Sequence, residues 1–273
     1  MRPLLILVAL TALLAAAGCS KNDTVATSAG GMGVVRLQLT DAPGPFDAVN
    51  LVVNQVAVHV AVRDTVGGVA DSLGGWEILS DRPATYDLMQ LRNGVFATLG
   101  QAMVPPGYYT QIRLVLGEGS NVVVGGVSHP LTVPSGMQSG LKLIGSFTVA
   151  NGQTTDLALD FDAERSIHQT GNGRYMLRPT CRIVPFAGAG GIAGHLLPDG
   201  VAAHLYALQG ADTVASTMPD PNSRFVLPAL PAGSYAVAIH PAPGYADTVL
   251  TGIAVTAQHT TQLGDIVLRS LPD

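Results

Sequence analysis

What most constrains this chain is a repeated alternation of apolar and polar residues in short runs, each closed by Gly, Pro, Asn or Asp. Val35, Leu37 and Leu39 alternate with Arg36, Gln38 and Thr40, and Val56, Val58, Val60 and Val62 alternate with Ala57, His59 and Ala61. Ile112, Leu114 and Leu116 repeat the pattern, as do Leu157, Leu159 and Phe161 against Asp156, Ala158, Asp160 and Asp162. A period of two sends successive side chains to opposite faces of a strand, so each run has one face to bury. Many short strands separated by turns predict sandwiches or barrels. Composition excludes long-helix architectures: the chain holds 32 Gly and 18 Pro, and 12% of its residues are charged, against about 25% in ordinary domains. Hydrophobic residues at 47% exclude a disordered chain. Residues 84–100 come nearest to a helical pattern, but Asn93-Gly94 interrupts it, and strand–turn–strand is expected.

The Gly-rich stretch Phe186 to Gly191 is a natural boundary, after which Val201, Ala203, Leu205 and Ala207, then Tyr235, Val237 and Ile239, renew the alternation. The expected fold is therefore all-β, with two tandem antiparallel β-sandwich domains, Greek-key-like, over residues 33–187 and 188–273. Each contains one similar phrase, Pro105-Pro106-Gly107-Tyr108-Tyr109 and Leu230-Pro231-Ala232-Gly233-Ser234-Tyr235. Pro and Gly turn the chain there, and the following Tyr is expected to hydrogen-bond back across the corner.

Residues 1–18 read as a lipoprotein signal peptide. Arg2 precedes a fourteen-residue apolar run, Leu4 to Ala17, which is short of the roughly twenty residues a membrane span needs and suits a signal-peptide core. Ala16-Ala17-Gly18-Cys19-Ser20 resembles the lipobox of bacterial lipoproteins, with Ala16 where Leu is usual. That resemblance implies cleavage before Cys19, a diacylglyceryl thioether on its sulfur and acylation of the new amine; two or more acyl chains anchor stably. Ser20 resembles the outer-membrane sorting pattern, which implies a lipid-anchored protein of the bacterial outer membrane. Residues 19–32, rich in Ser, Thr, Gly and Ala, read as a flexible tether. With Cys19 lipidated, Cys181 has no disulfide partner, and its alternation with Arg182 places it on the apolar face as a buried, inert thiol.

Two longer resemblances follow from particular phrases. Leu39-Thr40-Asp41-Ala42-Pro43-Gly44, Thr110-Gln111-Ile112-Arg113-Leu114, Ser139-Gly140-Leu141-Lys142-Leu143 and Leu159 to Arg165 make residues 33–185 resemble the bacterial lipoprotein domains of domain-of-unknown-function family 4382. The resemblance implies a secreted β-domain with no established activity. Gly191-Ile192-Ala193-Gly194, the turn Asp220 to Phe225, Leu230 to Tyr235 and Thr251 to Val255 make residues 190–269 resemble a carboxypeptidase-regulatory-like, transthyretin-type sandwich. That fold is shared with starch-binding-like modules and implies a rigid, non-catalytic appendage.

The sharpest polar cluster is Asp160, Asp162 and Glu164, which a continuous strand would place on one face. Such a trio would hold Ca²⁺ through hard oxygen ligands, although Arg165 stands where a helix–loop–helix calcium loop needs Gly. The structural alternative is a hairpin turning at Gly171-Asn172-Gly173. Pairing residue 170 with 174 sets Asp162 opposite Arg182 and Ser166 opposite Arg178, with Phe161–Ile183, Ala163–Cys181 and Ile167–Leu177 inside. Cross-strand charge pairing then explains the cluster, and this reading is favoured. Asp41 and Asp47 flank Pro43-Gly44-Pro45, either as a ligand-binding rim or, the favoured reading, as turn residues capping local amides. Asp41, Asp160, Asp162 and Glu164 are thus the candidate ligand-binding residues.

No catalytic residues emerge. The seven His show no metal spacing, so no metal site is expected, although His204 and His240 sit in strands that would bring them together. Nucleophile-elbow, phosphate-loop and dinucleotide motifs are missing from the sequence, and no cofactor is implied. Trp76, the sole Trp, reads as a strand edge or core plug, leaving Tyr206 and Tyr245 as other aromatic platforms. A net charge of -5 with two Lys excludes the footprint of a nucleic-acid binder. The expected function is a lipid-anchored, non-catalytic envelope protein that binds or displays, its partners the membrane and an envelope glycan or protein. The alternative is an accessory subunit of an envelope transport or protease system.

Overall fold

The structure, a computed structural model, describes residues 31–63, 74–134 and 140–272; the expected signal peptide, Cys19 and nearly all of the tether lie outside them. Its strands are β1 (Gly33–Ala42), β2 (Ala48–Arg63), β3 (Gly75–Ser80), β4 (Ala84–Asp87), β5 (Ala97–Val104), β6 (Gly107–Leu116), β7 (Asn121–Val124), β8 (Val127–Thr132), β9 (Leu141–Val149) and β10 (Thr154–Asp162). One helical turn, α1 (Ala163–Ser166), precedes β11 (Ile167–Gln169), β12 (Tyr175–Leu177) and β13 (Cys181–Pro185). The remainder comprises β14 (Ala189–Leu197), β15 (Ala203–Gln209), β16 (Asp212–Thr217), β17 (Arg224–Pro231), β18 (Gly233–Pro241), β19 (Thr248–Val255) and β20 (Thr260–Val267). The fold is all-β, as the alternation requires. Among the described residues no helix is long and apolar enough to cross a membrane.

Residues up to β13 form a sandwich of a four-stranded sheet, ordered β13-β10-β1-β5, on a nine-stranded sheet built around the long β2. Their inward residues, including Leu37, Leu39, Val56, Val58, Ile112, Leu157, Leu159 and Phe161, make one core. Residues from β14 onward form a second pair of sheets, β17-β14-β20 and β16-β15-β18-β19, around a separate core that includes Ile192, Leu205, Phe225, Val237 and Ile239. Pairing is mostly antiparallel, but β1–β10, β14–β20 and β8–β12 are parallel. Alternation does not distinguish these, because a strand's in–out pattern is the same whichever way its neighbour runs.

Both tyrosine corners form. The Tyr109 hydroxyl donates to the Pro105 carbonyl at 2.7 Å, and the Tyr235 hydroxyl donates to the Pro231 carbonyl at 2.8 Å. Tyr109 also stacks on Phe147, centroids 5.2 Å apart. Residues 84–100 run as a strand, a single 3₁₀ turn and a turn at Asn93-Gly94 before the next strand. Asn93 takes a positive φ of 59°, and its side chain reaches the outer edge of β17: the amide donates to the Arg224 carbonyl and the side-chain oxygen accepts from the Val226 N–H. Phe96 packs edge-on against Phe186 beside Ala158, Val184, Ala189 and Ala229, a small apolar seam joining the two sandwiches.

Candidate functional site

The acidic residues gather where β1 and β10 end side by side. Parallel pairing puts Thr40 beside Asp160, Asp41 beside Phe161 and Ala42 beside Asp162. There the chain leaves the sheet: the Asp162 carboxylate accepts the Arg165 N–H at 2.8 Å and caps α1. Asp41 Oδ1 accepts the Ala163 N–H at 3.1 Å. Two carboxylates thereby satisfy N–H groups that the first turn of a helix cannot satisfy itself.

This corrects three expectations. The hairpin does pair Thr170 with Arg174 and Ile167 with Leu177, but α1 consumes two residues, so Asp160, not Asp162, stands opposite Arg182, and Phe161 opposite Cys181. Arg182 Nε donates to Asp160 Oδ2 at 2.7 Å, with Nη2 2.6 Å from the same oxygen. Glu164 lies on α1, exposed, so the trio does not share a strand face. Asp41 is more than a local turn cap; it is buried at 4% exposure and, besides the neighbouring Ala42 N–H, takes an N–H of a turn 122 residues away. Asp47 accepts the Gly126 N–H instead, in the β7–β8 turn beside the start of β2.

Burial governs the electrostatics. It pushes the Asp41 carboxyl well above the ordinary range, the charges of Asp160 and Asp162 add to the rise, and the Ala163 and Ala42 N–H groups offset part of it. Asp41 Oδ2 is buried with no hydrogen-bond partner. Burial also raises Asp160 despite the opposing Arg182, and raises Asp162 despite its cap. Cys181 is half-buried rather than fully buried, packed against the first core; burial and the nearby Asp160 push its thiol up to about 12.

A cleft of about 220 Å³ opens here between the sandwiches. Ala42, Asp160, Asp162, Cys181 and Arg182 line one wall, and Thr213 to Ser216 of β16 line the other. The phenol of Tyr206 on β15 is raised by burial and then by the charges of Glu164 and Asp162. Sequence reasoning missed the β16 wall and Arg165, because contact between distant segments leaves no local pattern. Among the described residues no group of three His, Cys, Asp or Glu side chains is placed to hold a metal ion.

The other candidates are engaged elsewhere. Trp76 on β3 has the Arg113 guanidinium 4.3 Å over its ring and His59 edge-on at 5.1 Å, so it is a covered strand-edge residue and not a core plug. His204 and His240 do face each other in register, with Tyr206 beside both. His195 bridges two carboxylates, Nδ1 to Asp265 at 2.9 Å and Nε2 to Asp199 at 3.0 Å.

No curated protein matches the chain. Among solved structures it is similar to the Bacillus anthracis TIE protein at 13% identity and a TM-score of 0.26, covering 88% of this chain and 34% of that one. It is also similar to GBS52, the minor pilin of Streptococcus agalactiae, at 12% identity and a TM-score of 0.23, covering 87% and 97%. The shaft pilin SpaA of Lactobacillus rhamnosus GG gives 9% identity and a TM-score of 0.27, covering 89% and 98%. The chain thus spans about a third of the first of these proteins, and at such TM-scores no role carries over. The sequence match is of a different kind: residues 32–179, more than half of the chain, fit the domain of unknown function DUF4382, and the chain belongs to that family.

Proposed function

We propose that the chain is a lipid-anchored, non-catalytic display module of the bacterial outer membrane, held through Cys19 and presenting the cleft between its sandwiches to an envelope glycan or protein. The course of β1 carries this reading. The strand starts at Gly33, directly after the expected tether, and ends at Ala42, which lines the cleft. Ten strand residues at about 3.3 Å each set the cleft roughly 30 Å from the point where the tether joins the sandwich. The cleft's polar groups favour binding over turnover: Asp160 is held by Arg182, Asp162 caps α1, and a thiol at about 12 stays protonated at neutral pH. The second sandwich, with its carboxypeptidase-regulatory-like resemblance, serves in this reading as the rigid appendage that closes the cleft.

Fractionation of cells expressing the full chain tests the anchor. Wild type is expected in membranes and released by detergent, while Cys19→Ser is expected in the soluble fraction or unprocessed. A Cys19→Ser chain that matures and still pellets in detergent-sensitive form overturns the proposal. A glycan array against a pull-down from solubilised envelopes then separates the two partner classes.

A further inference from the structure

The end of the first sandwich opposite the cleft carries an unexplained apolar surface. Gly33 pairs with Val104, Gly107 pairs with Val149, and the Gly152 N–H donates to the Met32 carbonyl, so three segments converge where the described chain begins. Residues 31–34, 103–110 and 148–155 contain no Asp, Glu, Lys or Arg. Yet Met103 is 71% exposed, Tyr108 45% and Met32 42%. Pro105 and Pro106 form the tip between Met103 and Tyr108, both half-buried.

We infer that this tip is a lipid-contacting surface that seats the first sandwich on the bilayer carrying the Cys19 anchor. The inference rests on that anchor reading. The occupant is indicated by where the chain outside the structure attaches: residues 20–32 join Cys19 to this end of the sandwich and not to the cleft end. Fully extended, they reach at most about 45 Å, so the tether permits the contact without enforcing it, and the surface chemistry supplies the bias. Exposed Met adapts its shape to an apolar medium, and Tyr favours the headgroup level, its ring in the acyl boundary and its hydroxyl wet. The three segments carry no charged residue of their own and lose no ionic hydration on entering that layer, the nearest charge in register being Arg63 of β2, opposite Gly107.

The test uses the mature, lipidated protein in phosphatidylethanolamine–phosphatidylglycerol vesicles containing spin-labelled lipid. A fluorophore is attached at Met103→Cys or Tyr108→Cys, each in a Cys181→Ala background. Val127→Cys is the control, itself exposed and adjoining Val124 at the Ala48 end of β2, whereas Gly107 pairs at the Arg63 end. Co-flotation with vesicles reads the anchor, and quenching reads the tip. Strong quenching at 103 and 108 with none at 127 is the expected result. Co-flotation with all three sites unquenched overturns the tip while leaving the anchor intact. Unquenched 103 that cross-links between copies assigns the surface to self-association and overturns it as well. Protein that fails to float removes the anchor and this inference with it.

Discussion

The Asp160 carboxylate takes Arg182 through a single oxygen, Nε at 2.7 Å and Nη2 at 2.6 Å, while Asp162 turns away to cap the Arg165 N–H. Two acids two residues apart thus have different structural roles, and substitutions separate them. Asn caps a helix about as well as Asp, so Asp162→Asn should be nearly silent, whereas Asp162→Ala should cost about 1 kcal/mol. Asp160→Ala removes the oxygen that accepts from the largely buried Arg182 and should cost more, roughly 1–3 kcal/mol, because that donor is left without its acceptor. Thermal melts of the three variants check the ordering; an Asp162→Ala loss equal to that of Asp160→Ala would return the ion pair to Asp162.

Calcium provides an independent check on the same cluster. Asp160 is tied to Arg182, Asp162 to α1, and Glu164 is carried off the strand, so no convergent oxygen set exists among the described residues. Saturating Ca²⁺ at one hundred times Kd would add about 2.7 kcal/mol. The expected melting temperature is unchanged by Ca²⁺ and by chelator, and a clear calcium-dependent rise would make this hairpin a metal site.

Much of this arrangement was legible in the sequence. The alternation in β1, β2, β6 and β10 assigned their inward faces, and the two Pro–Gly–Tyr phrases marked both corners. The ion pair was not legible, for a specific reason. A four-residue helical turn that consumes two residues of register leaves every inward residue inward, so parity agrees equally with Asp160 or Asp162 opposite Arg182. Nor does Ala163-Glu164-Arg165-Ser166 announce a helix, since Arg165 stands at the position where a capping box would carry Glu or Gln. Asp41 was misread because its neighbours Pro43 and Gly44 suggest a turn, whereas the group it caps is brought in by the parallel β1–β10 pairing.

Stability should fall as pH rises from mildly acidic to alkaline. For Asp41, Asp160 and Asp162 the folded pKa lies above the unfolded value, so the folded state binds protons more readily. Their relative stabilisation is present at low pH and is lost as pH rises through the folded pKa. His195 is raised as well, first by its hydrogen bond to Asp265 and also by Asp199, and both ring nitrogens can donate only in the imidazolium. Its contribution is complete below the ordinary His value, and it too disappears as pH rises through the raised one. Arg224, opposite His195 on β17, is the remaining charge in that register. Melts from pH 5 to 9 should therefore show a decline, and His195→Gln should flatten its part above about 6.5. Asp41→Asn, which mimics the protonated side chain, should equal or exceed wild type at neutral pH, while Asp41→Ala, which strands the Ala163 N–H, should lose about 1–3 kcal/mol.

The two corners should be separable by single hydroxyl deletions. Tyr109 and Tyr235 are both buried, and each donates to a carbonyl four residues earlier. Removing the hydroxyl deletes that bond, for about 1 kcal/mol each. Tyr109→Phe and Tyr235→Phe should be additive, because they lie in different cores. A double-mutant melt checks this, and a large non-additive term would mean the two corners are energetically coupled across the seam.

The Asn93 contact decides how tightly the halves are coupled. Each sandwich has its own core, so residues 33–187 and 188–273 should each express and melt cooperatively alone. In the intact chain Asn93 satisfies both the Arg224 carbonyl and the Val226 N–H on the outer edge of β17, which would otherwise present open pairing groups. Asn93→Gly retains the positive φ at little conformational cost but deletes both hydrogen bonds. The first sandwich should keep its stability within about 0.5–1 kcal/mol, while the second loses the support of its neighbour. Calorimetry of the wild type should show one merged transition or two overlapping ones, and Asn93→Gly should pull them apart. If both isolated fragments fail to fold, the Phe96–Phe186 seam belongs to one continuous core and the boundary at 187–188 is wrong. If the fragments fold and Asn93→Gly leaves the calorimetric trace unchanged, the seam alone couples the halves and Asn93 only covers an edge.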